Sequence, residues 1–363
     1  MPRQVRAAVA FGPNEPMRLC DVTVADPGPG QVLVRFIASG LCHSDLHVLT
    51  GDFGHRFPAI LGHEGIAEVV EVGPGVADFV PGDRVIPYLM PDCGECDFCR
   101  SGKTNFCAQF PARRVAEETP FSLDGQPVYA FMAIGSFAEM AVIHADMLTK
   151  VSTEARTDQA CCIACGVTTG IGAATITADV RPGSSVAVFG AGGVGLSVVE
   201  GARLAGAKTI IVVDRNPAKE EAARLSGATH FVLAGGDVPP VKQIRKLAAP
   251  GVDYAFECVG VPALMADAVA ATNPAWGVAV CVGIMPDGSS FTLPTGNIAT
   301  GRSLKGSLMG GAKRQDVSRF VDMFVAGKFS LDHVVSHRLG LDEINHGFEM
   351  MESGEAVRSV VLF

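Results

Sequence analysis

The sequence predicts an α/β chain of two domains, an irregular all-β domain followed by a doubly wound parallel sheet. Three observations predict it. Up to about residue 150, short apolar and β-branched runs alternate with Gly and Pro turns. From Ser185 onward, apolar strands alternate with helical segments, as in a parallel sheet covered on both faces. A glycine-rich turn joins the first of those strands to its helix. A length of 363 residues allows two cores.

The first domain is read from residues 32–37, 66–72 and 84–89, rich in Val and Ile. Pro27-Gly28-Pro29-Gly30, Gly73-Pro74-Gly75 and Pro81-Gly82-Asp83 separate these runs as turns. Residues 159–177 are small and apolar enough for helix. Strands at 186–189, 210–213, 254–257 and 278–282 follow, with helices expected at 194–205 and 218–225. The last fifty or so residues are mixed and need not join that sheet.

Composition excludes several classes. Hydrophobic residues make up 48% and charged residues 18%, which favours a packed core over disorder. With a net charge of -9 and no Lys/Arg run beyond two, nucleic acid and anionic membrane are poor partners. A dinucleotide still fits, because it needs only a local anion site. No run reaches about 18 apolar residues, so no membrane span is expected. The apolar run in residues 1–12 is too short for a signal peptide. Eleven cysteines without an export signal point to a reducing cytoplasm and to metal.

Cys93, Cys96, Cys99 and Cys107 interrupt the all-β domain in a C-x2-C-x2-C-x7-C pattern. Four thiolates that close can surround one tetrahedral zinc. Paired disulfides are the alternative, disfavoured because the other seven cysteines show no pairing pattern.

Gly190-Ala191-Gly192-Gly193-Val194-Gly195 is a G-x-G-x-x-G between a strand and a helix. Asp214 ends the next strand, nineteen residues after Gly195. This is the Rossmann dinucleotide pattern: glycines for the turn and close backbone approach, a helix N-terminus for pyrophosphate, an acid for ribose. The Asp214 carboxylate would repel a 2′-phosphate, favouring NAD over NADP, although Arg215 next door can serve such a phosphate. The plain reading of Asp214 is a helix cap before Asn216-Pro217.

Cys42, His63 and Cys165 are soft ligands outside the four-cysteine lobe, and spacing alone does not assemble them. They lie in Gly40-Leu41-Cys42-His43-Ser44-Asp45-Leu46-His47, in Gly62-His63-Glu64 and in Ala164-Cys165-Gly166-Val167-Thr168-Thr169-Gly170. Read alone, both cysteines are ordinary buried side chains and His63 a core histidine. With the lobe and the glycine turn, however, these segments resemble the zinc-dependent alcohol dehydrogenases of the medium-chain dehydrogenase/reductase superfamily, over essentially the whole chain. Gly306-Ser307-Leu308-Met309-Gly310-Gly311 and Arg358-Ser359-Val360-Val361 fit as well. The resemblance is nearest to the glutathione-dependent formaldehyde (class III) and aryl-alcohol branches.

The resemblance implies a GroES-like β-barrel catalytic domain at 1–165 and 309–363, a structural-zinc lobe at 91–108 and a Rossmann domain at 166–308. It implies two zincs per chain, one structural and one catalytic on Cys42, His63 and Cys165 with an open fourth place. Glu64 would approach that metal transiently, and Asp45 would orient the His63 imidazole. His43, Thr169, Lys219, Val259, Val282 and Arg358 fall at cofactor positions. Ser44 and His47 match the proton relay. Phe53, Leu89, Phe131, Met132, Ile284 and Leu308 fall at pocket positions. All six are apolar, which implies an uncharged primary alcohol or aldehyde. Leu89 stands where some relatives carry an aromatic residue, leaving room for a larger or ring-bearing group.

Two departures bear on the thiol-dependent branch. Its adduct-binding arginine falls here on Pro111, although Arg113 and Arg114 are near, and His47 stands where that branch usually lacks a histidine. A polyol dehydrogenase would usually lack Cys165. A non-catalytic zinc and nucleotide-binding member would have lost a ligand or the relay, and this chain keeps both. The resemblance also implies a homodimer or homotetramer, joined by an edge strand near 303–309.

Overall fold

A computed structural model describes residues 3–109, 119–285 and 288–363. Pro111, Arg113 and Arg114 lie outside the described residues. The chain forms two compact units. The first comprises Met1–Cys165, Lys313–Gly327 and Val335–Phe363; the second comprises Gly166–Ala312 and Lys328–Val334. The chain thus returns to the first unit at Lys313 rather than at 309, and 328–334 joins the second. The reason is local: Gly310 packs against Gly172, an Arg203 Nη donates to the Lys328 carbonyl at 2.6 Å, and Ser226 Oγ meets His333 Nε2 at 2.7 Å.

In the first unit, five strands close a barrel: Arg3–Ala10, Arg18–Val24, Phe121–Leu123, Gln126–Ala130 and Ala59–Ile60. A second sheet centres on Gln31–Gly40, flanked by Glu64–Val72, Ser359–Leu362 and Met140–His144. The central strand is buried along most of its length, as its Val-Leu-Val-x-Phe run demands. Antiparallel register pairs Gly40 with Glu64 on one side and with Val360 on the other. That pairing gathers three chain segments far apart in sequence at one strand end.

The expected helix at 159–177 is broken. Thr157–Ala160 is α-helical, Cys161–Ala164 is a 3-10 turn, and helix resumes at Gly166–Gly172. The break falls at Cys165, whose φ of -137° and ψ of -75° leave the helical region.

The second unit holds six parallel strands in the order His230–Leu233, Thr209–Asp214, Ser185–Phe189, Tyr254–Glu257, Val278–Cys281, Ser303–Gly306. Ala187, Phe189, Ile211, Val213, Ala255 and Ala279 supply the core beneath them, with Met265 and Val269 from the helix Pro262–Ala271. Strand order reverses direction at Ser185–Phe189 and Tyr254–Glu257, and a ligand crevice opens at the carboxyl ends of such strands. Gly190 leaves the first of them at φ 100°, in the left-handed region. A Cβ at Gly195 would overlap the Gly190 carbonyl oxygen.

That overlap is with backbone, which cannot step aside. Gly195→Ala is therefore expected to cost roughly 2 kcal/mol or more, read as a lowered unfolding midpoint in calorimetry.

Candidate active site

The register of the central sheet builds the site. Cys42 follows the end of Gln31–Gly40 and immediately precedes the helix His43–Thr50. His63 precedes Glu64–Val72, and Arg358 precedes Ser359–Leu362. Cys165 arrives from the Cys161–Ala164 turn, which packs on both central strands. The ligand atoms of Cys42, His63, Glu64 and Cys165 all lie within 4.8 Å of one another, and all four residues are buried.

Asp45 organises this cluster. Its Oδ2 accepts from the Cys42 N–H at 3.2 Å, and its Oδ1 accepts from the Gly62 N–H at 2.9 Å. Oδ1 also lies 3.2 Å from His63 Nδ1. Nδ1 is thereby occupied, and Nε2 is the ring atom left for a metal. That Nε2 is buried without a hydrogen-bond partner among the described residues, a state that costs about 1–3 kcal/mol unless another ligand meets it. Gly62 adopts φ 87°, and a Cβ there would lie 2.6 Å from Ser136 Oγ and 2.7 Å from the Phe137 ring.

The electrostatics favour a cation. A hydrogen bond from Cys165 holds the Cys42 thiol well below its usual pKa against burial, and the same bond pushes Cys165 up. Burial opposes a charged imidazole at His63, but the Asp45 carboxylate and the Cys42 sulfur outweigh it and hold its pKa well above the usual value. Burial raises the Asp45 carboxyl, with His63 pulling it back. Two sulfurs, one imidazole and a nearby carboxylate are a donor set that fits zinc.

Glu64 and Arg358 form a pair that pattern reading did not connect. Arg358 Nη1 lies 3.3 Å from Glu64 Oε1 and donates to the Leu41 carbonyl at 2.6 Å. Burial drives the Glu64 carboxyl well above its usual pKa, while Arg358 opposes the shift. The only signal for the pair lies in the register of Gly40 with both Glu64 and Val360, which no local pattern encodes.

Other expected residues are distributed around this centre. Ser44 is buried, with Oγ 3.8 Å from Cys42 Sγ. His47 Nδ1 meets Asp52 Oδ2 at 3.1 Å, and its ring lies 4.9 Å from that of Phe53. His43 is exposed. The Phe131 ring stands edge-on to His63 at 5.6 Å, and His55 stands edge-on to Phe131 at 5.5 Å. His55 was not anticipated from the sequence. Leu89 is buried, and Phe53 and Met132 are half-buried. Ile284 and Leu308, of the second unit, are exposed.

In that second unit, Asp214 ends its strand beside the glycine turn. Its Oδ2 accepts from the Ala191 N–H at 2.7 Å and lies 3.6 Å from Lys219 Nζ, while Oδ1 accepts from the Asn216 N–H at 2.9 Å. Arg215 is exposed. Gly192 precedes the helix Gly193–Leu204, so the amides of Gly193 and Val194 fall in its first turn. Glu257 was also missed: its buried carboxylate accepts from the N–H groups of Val259 and Gly260, each at 2.9 Å, and sets that loop. Val259 is exposed, Val282 is buried, and Thr169 donates to Met309 Sδ at 3.5 Å.

The lobe forms a second metal site. Cys93, Cys96, Cys99 and Cys107 bring their sulfurs within 4.8 Å of one another. All eleven cysteines are free, which removes the disulfide alternative. The Ala108 and Cys99 amides lower Cys96 to about 6, and the Cys96 and Glu95 amides lower Cys93. These N–H groups stabilise the thiolate forms that zinc requires. Arg314 anchors the lobe, with Nε to Asp92 at 2.8 Å and Nη1 to the Leu148 carbonyl at 2.9 Å.

The fold and these two sites define a zinc-binding dehydrogenase. Residues 28–153 match the alcohol dehydrogenase GroES-like domain family, and residues 193–326 match the zinc-binding dehydrogenase family. The chain is 42% identical to S-(hydroxymethyl)glutathione dehydrogenase of Escherichia coli O1:K1 / APEC, over 99% of each chain. It superposes on an alcohol dehydrogenase zinc-binding domain protein from Burkholderia ambifaria with TM-score 0.95 and 34% identity, covering 100% of both. Benzyl alcohol dehydrogenase from Acinetobacter calcoaceticus follows, with TM-score 0.92, 29% identity and 99% of both chains covered. A zinc-binding dehydrogenase from Sinorhizobium meliloti 1021, bound to NADP, gives TM-score 0.81 at 25% identity, with 99% of this chain and 100% of that one covered. The protein belongs to the zinc-dependent alcohol dehydrogenase family of medium-chain dehydrogenase/reductases.

Elemental analysis should find two zincs per chain, and Cys42→Ser should leave one, since the lobe sulfurs are untouched. Every ligand must shed its proton to bind metal. Falling pH restores those protons, so bound zinc should decline on acidification, read by a chromogenic chelator.

Proposed function

We propose that the protein is an NAD-dependent dehydrogenase of apolar primary alcohols, acting reversibly on the aldehydes. The observation that carries this reading is the buried convergence of Cys42, His63 and Cys165. Three protein ligands and one open place make a reactive site, whereas four thiolates make a closed one. Zinc held there would supply Lewis acidity, lowering the pKa of an alcohol at its open place. The nicotinamide of a bound dinucleotide would supply the hydride acceptor.

The chain's own groups do the rest. Asp45 keeps the His63 ring turned with Nε2 toward the sulfurs. Ser44 stands beside Cys42, where its hydroxyl would accept the substrate proton as it gives its own to the ribose of a bound dinucleotide, which leads on to His47. His47, whose side chain is 27% exposed, passes that proton to water and is steadied by Asp52. Phe131, Leu89, Phe53 and Met132, buried or half-buried in the first unit, would supply apolar pocket surface, which disfavours charged substrates. The aromatic chain from His63 through Phe131 to His55 favours ring-bearing alcohols. NAD is favoured because the Asp214 carboxylate stands at the strand end where a 2′-phosphate would crowd it.

A second reading is a thiol-dependent formaldehyde dehydrogenase, favoured by the 42% identity to S-(hydroxymethyl)glutathione dehydrogenase. Pro111 at the place of the adduct-binding arginine, together with His47, speaks for the first reading. A homodimer or homotetramer, joined through the exposed edge strand Ser303–Gly306, and a cytoplasmic location complete the proposal.

With a panel of aliphatic, terpenoid and benzylic alcohols, benzylic substrates should give the highest kcat/KM, with NAD preferred over NADP. Formaldehyde oxidation should not depend on added glutathione; strict dependence would establish the second reading instead. Asp45→Asn should lower kcat/KM about 10- to 100-fold.

A further inference from the structure

One cavity of the first unit opens on the four-cysteine lobe. It measures about 520 Å³, and Asp78, Asp92, Glu95, His144, Asp146 and Arg314 line it together with Cys93. Cys93 is one of the four sulfurs gathered for zinc, and it alone of the four stands in the cavity wall. The cavity therefore connects solvent to a metal ligand.

Its wall is fixed and charged. The Gly30 N–H donates to the Pro74 carbonyl and the Ala145 N–H donates to the Gly30 carbonyl, each at 2.9 Å. These bonds tie together the turns that hold Gly30, Gly75 and Ala145, all part of the wall. Asp92 Oδ1 is paired with Arg314 Nε at 2.8 Å, and Asp146 Oδ1 lies 2.7 Å from His144 Nδ1. Asp78 and Glu95 are exposed. Four carboxylates are thus set against one guanidinium. A cleft lined by one sign of charge focuses the field and raises the local concentration of counter-ions. Water takes about 30 Å³ per molecule, so the space admits a metal ion with its hydration shell. Carboxylate and imidazole both ligate zinc, but four thiolates close the tetrahedron without them. The lining groups therefore serve the approach of the ion and not the finished site.

We propose that this cavity is the loading route of the lobe: it draws hydrated zinc from solvent and delivers it to the Cys93 sulfur, which binds before the other three. The inference rests on the lobe as a zinc site. In the first step the ion exchanges a water for sulfur, and the Cys93 thiol proton leaves to solvent. Release retraces the same path. The carboxylates therefore set the rate of exchange and leave the amount of bound zinc unchanged.

Isotope exchange on the intact protein tests this. The protein is mixed with an excess of isotopically enriched zinc, and the isotope retained after gel filtration is counted by mass spectrometry. Cys42→Ser, which keeps the lobe sulfurs, identifies the lobe phase. Asp78→Asn/Glu95→Gln/Asp146→Asn should slow that phase about tenfold at low ionic strength. The difference should shrink in molar salt, where the Debye length falls to about 3 Å. Zinc content and the catalytic-site phase should not change. Ala77→Arg, at an exposed lining position, should slow the lobe phase as well, and it decides the matter if the triple variant does not fold. Asp97→Asn/Asp237→Asn/Asp322→Asn removes as much charge from exposed positions outside the cavity and should exchange as wild type. Equal slowing by this control would reduce the effect to net charge and overturn the proposal. An unchanged lobe phase in Ala77→Arg would overturn it too. So would loss of lobe zinc from the folded triple variant, which would make the carboxylates part of the site itself.

Discussion

A carboxylate with no solvent exposure, that of Asp45, is the constraint on which the buried cluster of Cys42, His63 and Cys165 depends. Burying a charge is costly unless it is paired and hydrogen-bonded. Asp45 meets that condition with two backbone amides and one imidazole. Each partner belongs to the site: Cys42 supplies its own N–H, Gly62 supplies the N–H before His63, and His63 supplies Nδ1. One side chain thereby sets the entry to the Cys42 helix, the loop at Gly62 and the imidazole orientation together. The left-handed Gly62 is the geometric counterpart, because no side chain fits between it and Phe137.

The two metal sites use sulfur in different ways. In the lobe, backbone amides point at the sulfurs of Cys93 and Cys96 and share the thiolate charge. Four such ligands satisfy a tetrahedral ion and leave no place for a reactant. In the buried cluster the sulfurs lie beside the Glu64–Arg358 pair, and the Glu64 carboxylate stands near them as a further donor. Arg358 balances negative charge that the low-dielectric surroundings would otherwise penalise.

Legibility in the sequence followed the distance over which each interaction acts. The lobe could be read because its four cysteines lie within fifteen residues, and the glycine turn because strand, turn, helix and Asp214 are consecutive. The broken helix around Cys165 was not readable: residues 159–177 have helical composition throughout, and the break arises where Cys165 departs from helical dihedrals. His55 and Glu257 escaped notice because each acts through neighbours, an aromatic edge in one case and backbone amides in the other. The domain limits shifted for a similar reason, since 328–334 is tied to the second unit by contacts that include Arg203 and Ser226.

Local chemistry therefore settled the fold class, the presence of a zinc lobe and the dinucleotide turn, because short spacing and backbone geometry impose them directly. Cys42, His63 and Cys165 are up to 123 residues apart in the chain, and family resemblance rather than spacing first grouped them. Their convergence was decided by the pairing of Gly40 with Glu64 and with Val360, and by the turn that delivers Cys165. Such pairing depends on which apolar faces bury together across a sheet, a property of the assembled core that no single segment carries.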